Sequence, residues 1–339
     1  MDIGTFFIGG ILALIGGCLG ATVSALGGFV LLGLFGVAGF LYMFITGDST
    51  WNIVIASSVM LKPSSCFLGG VISTAYARKK TLLKCGKDIG RSLITFHKFR
   101  IILVGGIAGF SGYVLNYVLD RFLSEKIDTT ALTVMIIPLI IKYLWKMTKT
   151  SDCSASSHAV PSPYRFFERI SSKEGKVITS ILVGFVTASV TLLLMLNKNT
   201  APFAGAFMFY VSALSLYFVF MGIPVPATHH FSGTAGAITA YWLSLHGNNT
   251  DIMTVITMIL WGIVAALIGL VSSEILGKFF FNEGDIHVDP PAMGIMVTTG
   301  ILVGILPLTG VYHTDLIIQS LICVVLIMGL VISKKYTVQ

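Results

Sequence analysis

Two stretches decide how this chain is read: IASSVMLKPSSCFLGGVISTAYA at 55–77 and GIPVPATHHFSGTAGAITAYW at 222–242. Each is apolar enough for a membrane, and each is interrupted by proline, hydroxyl-bearing residues and then glycines. Placing Pro63 on Pro226 sets Ser65 on Thr228, Cys66 on His229, Gly70 on Gly233 and Ala77 on Ala240. Proline removes a backbone donor and breaks a helix. Broken backbone inside a bilayer is tolerated only where protein buries it or where it lines a wet cavity. The two stretches therefore predict two interrupted membrane helices facing a common polar site.

The composition around them agrees with a membrane setting. The 339 residues are 55% hydrophobic and 11% charged, where a soluble domain carries about 25% charged residues. Apolar segments fall at 5–25, 26–46, 53–77, 101–119, 131–145, 177–196, 201–222, 227–245, 252–276, 291–309 and 315–333. The expected fold class is an all-α polytopic membrane protein with about eleven transmembrane helices. The first two segments meet at SALGG (24–28), where a glycine turn is expected. The N-terminal stretch has no basic region ahead of its apolar run, so no cleavable signal is expected. The five cysteines are widely spaced without a C-x-x-C pair, which suggests neither a disulfide framework nor a zinc site.

Charge placement sets the orientation. Loop 78–100 holds eight basic residues and loop 146–176 holds six; Lys278, Lys334 and Lys335 fall on the same side of an eleven-span layout. Arg121, Lys126 and Lys198 fall opposite. The positive-inside rule then predicts a cell-membrane protein with the N-terminus outside and the C-terminus cytoplasmic. The basic loops are accounted for by topology, and nucleic acid is not an expected partner.

The organisation expected is membrane repeat 1 over 1–145 (spans one to five), a Ser/Pro-rich cytoplasmic linker over 146–176, membrane repeat 2 over 177–310 (spans six to ten), and an extra C-terminal span and tail over 311–339. An odd number of spans per half makes the second copy enter from the opposite side. This is a five-plus-five inverted repeat with broken third and eighth spans, a plan common among transporters.

Candidate substrate-binding residues come from the two breaks: Lys62, Pro63, Ser64 and Ser65 in the first, and Pro226, Thr228, His229, His230 and Ser232 in the second. Half-helix N-termini would present free N–H groups and a positive dipole end to the gap. Ser64, Ser65 and Thr228 are candidate N-caps. Imidazole titrates near neutral pH, so His229 and His230 are candidates for proton coupling, as is Asp289 in NEGDIHVDPPAMG (282–294). His287 in the same stretch is a weaker candidate for a relay or gate. Consecutive helical positions point about 100° apart, so only one of the two histidines faces a cavity squarely. The stripe His230, Gly233, Ala237 favours His230. The same divergence, with no carboxylate or thiolate beside them, argues against a metal site, and no cofactor is expected.

GIPVPATHHFSG (222–233) resembles the P-x-S-T-T-H tract of inorganic phosphate symporters. The paired Asn-Asp signature that those carriers also have is absent. The eleven-span layout is similar to that of ammonium transporters, but their two pore histidines come from both halves, whereas here both lie in one span. No family is assigned on these grounds.

No Walker loop, H-E-x-x-H or G-x-S-x-G motif is present, and an enzyme is not expected. The expected function is secondary transport of a small polar or anionic solute, coupled to protons or another cation, at a site between spans three and eight. The alternatives are a passive channel for a small neutral solute such as urea or ammonia, and a membrane-embedded enzyme or assembly subunit. The expected partners are the lipid bilayer and a small-molecule solute; self-association into a homo-oligomer is compatible with the sequence.

Overall fold

A computed structural model describes residues 3–51, 58–148, 172–223 and 225–336. Most of the expected linker, and the part of span three before Ser58, lie outside the described residues. Among those described there are helices but no strands, and one isolated antiparallel bridge joins Thr148 to Gly284. The principal helices are α1 (Ile3–Val23), α2 (Ala25–Thr46), α3 (Cys66–Lys79), α4 (Phe99–Leu123), α5 (Thr129–Leu144), α6 (Lys173–Met195), α7 (Ala204–Ser215), α8 (His229–Leu245), α9 (Ile252–Leu276), α10 (Pro290–Thr299) and α11 (Leu316–Tyr336).

Among the described residues, eight helical segments are long and apolar enough to cross a membrane, α7 counting with the short turns around it as Ala201–Phe220 and α10 with those after it as Pro290–Thr309. The expectation was eleven. The three that fall short are α3 with 14 residues, α5 with 16 and α8 with 17. A helix rises about 1.5 Å per residue, so none of these three covers a hydrocarbon core of about 30 Å by itself. Two of them, α3 and α8, begin at the breaks read from the sequence.

Side-chain size on α1 shows why these helices suit lipid. Its buried face is Gly9, Gly10, Ala13, Gly16, Gly17, Gly20 and Ala21, while Phe7, Ile8 and Ile11 are 65%, 62% and 60% exposed. Small residues inside and bulky apolar ones outside reverse the pattern of a soluble helix and match a membrane interface. The glycine face lets α1 lie against α3 and α4, and α3 and α4 also touch each other. In the second half α6 and α8 pack on α9 in the same way, with α8 also against α7. Contacts between the halves include α2 with α7 and α5 with α10. The second half has an aromatic centre, in which the fully buried Trp242 and Trp261 stack at 4.6 Å.

The turn between α1 and α2 differs from expectation. It is a single residue, Ser24, with φ +93°, and not a glycine. Its hydroxyl accepts the Gly27 N–H at 2.9 Å, so a local side-chain cap offsets the strained backbone. The Leu26 N–H donates to the Ile89 carbonyl at 3.0 Å, which ties the turn to the basic loop after α3. That loop is in turn fixed by the buried Asp285, which accepts from Arg78 Nε at 2.6 Å and from the Gly86 N–H at 2.7 Å. Cys18, Cys66 and Cys323 are free thiols. Cys85 is disulfide-bonded, against the expectation of none: spacing along the chain carries no information on which cysteines meet in space.

The broken backbone before α3 is buried by glycine. A Cβ added to Gly20 on α1 would overlap the carbonyl oxygen of Cys66, and one on Gly112 of α4 would overlap that of Ser64. The irregular segment is thus clamped between two helices that approach it without side chains, as interrupted backbone in a bilayer requires.

Candidate functional site

A cavity of about 660 Å³ opens between the two halves, within the range of small-molecule sites. Its walls are the first half of α2, the starts of α3, α5 and α10, and the facing sides of α7 and α8. The lining is largely apolar and aromatic, including Phe29, Phe67, Phe209 and Tyr210. A few polar groups converge on it, among them Lys62, Asp128, Thr130, His229, His287 and Asp289.

Of the residues singled out from sequence, Lys62, Pro63, His229, His287 and Asp289 line this cavity. The others stand elsewhere. Ser64 is buried behind the wall, its hydroxyl 3.4 Å from Asn116 Oδ1. Ser65 and Thr228 occupy the N-cap positions of α3 and α8, but neither side chain makes a capping hydrogen bond. The reason at α3 is that the preceding chain already turns helically. The Cys66 N–H reaches the Lys62 carbonyl at 3.0 Å, and that of Gly69 reaches the Ser65 carbonyl at 2.9 Å. The start of α3 is therefore less bare than expected of a free half-helix end. Thr228 and Ser232 both reach Ser212, at 3.3 Å and 2.9 Å, so these hydroxyls join α8 to α7. Pro226 is exposed.

The choice between the histidines is reversed. His229, with Gly233, Ala237 and Ala240, faces the cavity. His230 is 1% exposed and lies with its ring centroid 3.9 Å from that of Phe231. The His229 ring sits 4.8 Å from Phe29 and 6.2 Å from Phe209, between α2 and α7. Its Nδ1 has no hydrogen-bond partner among the described residues, and neither do the Nδ1 atoms of His230 and His287; what sets His229 apart from His230 is its place in the cavity wall.

His287 and Asp289 form a pair, Nε2 to Oδ1 at 3.0 Å. The other carboxylate oxygen of Asp289 accepts the Ala292 N–H at 2.9 Å and caps α10. The His287 ring is held between Phe67 at 6.0 Å and Phe281 at 5.2 Å. Sequence reasoning missed Asp128, which caps α5 by accepting from the Ala131 N–H at 2.7 Å and whose own N–H donates to Thr299 of α10 at 2.9 Å. The signal was present as an Asp ahead of an apolar run. Asp128 and Asp289 together put two carboxylates in the cavity wall, where the sequence had offered Asp289 alone. Lys62 also has a partner the sequence did not suggest: its Nζ lies 4.0 Å from Asp120 Oδ2 on α4.

Residues 171–321 match the model of a family of unknown function, DUF7973. No curated protein and no solved structure matches the chain.

Proposed function

We propose that the chain is a secondary carrier in a cell membrane, built as two inverted five-helix repeats with an added C-terminal helix, and that a small polar solute binds in the cavity between them. The observation that carries this reading is the correspondence of the two halves at the cavity. Helices α3 and α8 start at Cys66 and His229, the two positions paired when Pro63 is set on Pro226. Helices α5 and α10, which touch each other, both start behind a capping Asp, Asp128 and Asp289. Packing among α1, α3 and α4 parallels that among α6, α8 and α9. The family match over 171–321 takes in the whole of the second repeat, none of the first, and part of the C-terminal span. Binding sites at the interface of inverted repeats, flanked by discontinuous helices, belong to alternating-access carriers.

The cavity favours a solute with an apolar body and a charged or zwitterionic head. Aromatic walls take the body, and both signs of charge are within reach of the head. A metabolite collection is first screened by thermal shift on the purified protein. The ligands found are then offered to proteoliposomes with and without an imposed ion gradient. Accumulation above the external concentration is the expected result; equilibration alone would make the protein a channel, and no uptake would sink both readings.

In this reading the basic loops face the cytoplasm. Lys84 and Lys198 are exposed on opposite sides of that layout. A cysteine at position 84 is expected to react with an impermeant thiol reagent only from the inside, and one at 198 only from the outside. The reverse pattern would invert the molecule.

A further inference from the structure

We infer that the chain carries a sodium-binding site beside the cavity, formed by Asp120, Asn116, Thr130 and Ser64, and that Lys62 competes with the ion for Asp120. The site is made of oxygens from three elements. Asn116 on α4 is 2% exposed, and its Oδ1 receives the hydroxyls of Ser64 and Thr130, each at 3.4 Å. Its Nδ2 donates to Thr129 Oγ1 at 2.9 Å and to Asp120 Oδ1 at 3.4 Å, and the Thr129 hydroxyl donates to the same carboxylate oxygen. That leaves Asp120 Oδ2, whose neighbour is the Lys62 ammonium at 4.0 Å. A charge-assisted hydrogen bond is about 2.8 Å, so Lys62 lies near the carboxylate without closing on it. The Ser64 and Thr130 contacts to Asn116 are likewise at the outer limit of a hydrogen bond.

The donor set selects the ion. Hard cations take oxygen ligands. One carboxylate with an amide carbonyl and two hydroxyls carries a single negative charge, which a monovalent ion neutralises. Calcium and magnesium sites gain their affinity from several carboxylates and, for magnesium, retained water. Asp128 caps α5 through one oxygen and is near enough to Lys62 and Asp120 for their charges to interact, but it makes no hydrogen bond to the oxygens around Asn116. Asn116 and Ser64 are buried, while the Asp120 side chain is 42% exposed and opens the site to solvent on that side.

The site also touches the cavity. Lys62 and Thr130 line the solute space and reach the oxygen cluster as well. An ion at Asp120 displaces the ammonium and leaves Lys62 free to meet a negative group of a solute. This coupling role rests on the carrier reading; the ion site itself does not.

The test uses sodium alone. Purified protein is melted in sodium chloride and in choline chloride at equal ionic strength. Sodium is expected to raise the melting temperature saturably, by mass action on the folded state. Asp120→Asn is expected to abolish the sodium-specific rise, and Thr130→Val to weaken it. Lys62→Met removes the competitor and is expected to lower the half-saturating sodium concentration roughly tenfold, the effect of one nearby like charge removed. A purely structural Lys62 would not tighten the ion. The inference is overturned if wild type shows no difference between sodium and choline, if the difference survives in both Asp120→Asn and Thr130→Val, or if Lys62→Met weakens it. A protein that shows the sodium response but transports no solute would refute the carrier reading and leave the ion site in place.

Discussion

Gly112→Val is expected to leave no monodisperse protein to purify, and Gly20→Val to do the same. At Gly112 a Cβ would overlap the Ser64 carbonyl oxygen and approach the Leu68 side chain; at Gly20 it would overlap the Cys66 carbonyl oxygen. Both obstacles at the closest approach are backbone, which cannot rotate aside as a side chain does. The helices would have to separate, exposing the irregular segment before α3. In a bilayer each backbone group so exposed without a partner costs several kcal/mol. The expected loss exceeds about 4 kcal/mol, the range reserved for overpacking and orphaned polar groups. Gly329 on α11 has no atom within 4 Å of an added Cβ, so Gly329→Val is the matched control and should behave as wild type. The readout is size-exclusion profile and melting temperature in detergent. A well-folded Gly112→Val protein with a wild-type melting temperature would mean that α4 does not hold the break.

His229→Ala is expected to lower solute uptake at least tenfold with little change in melting temperature. His230→Ala is expected to do the opposite. His229 is in the cavity wall, its Nδ1 is unpartnered, and the space its ring leaves opens into the cavity. His230 is enclosed, and truncating an enclosed side chain leaves a void costing about 2–3 kcal/mol. Uptake normalised to folded protein, with the two melting temperatures, separates the cases. Equal effects of the two substitutions on uptake would remove His229 from the site.

The Asp285 contacts and the Ser24 turn show how far local sequence carries and where it stops. Hydrophobic run length and the positions of Pro63, Pro226, Pro290 and Pro291 made the helical spans, the two breaks and the α10 start legible. Those features depend on neighbours a few residues away: proline acts on its own turn, and an Asp cap bonds to an N–H three positions on. The glycines of α1 form its packing face, and nothing local in the sequence shows that Gly20 receives the Cys66 carbonyl.

What the sequence by itself determined is an all-helical chain with apolar spans, and two interruptions of related pattern. What only the tertiary structure decided is who meets whom. Lys62 and Asp120 are separated by all of α3, a basic loop and most of α4, and no spacing rule brings them together. Asp128 was visible as a cap, but its place in the cavity wall depends on α5 lying against α10. His229 rather than His230 faces the cavity because the orientation of α8 is fixed by packing against α7 and α9. Helical periodicity fixes the angle between two side chains but not the direction in which the pair points. That direction is set by the neighbouring helices, and their contacts join residues far apart in the chain.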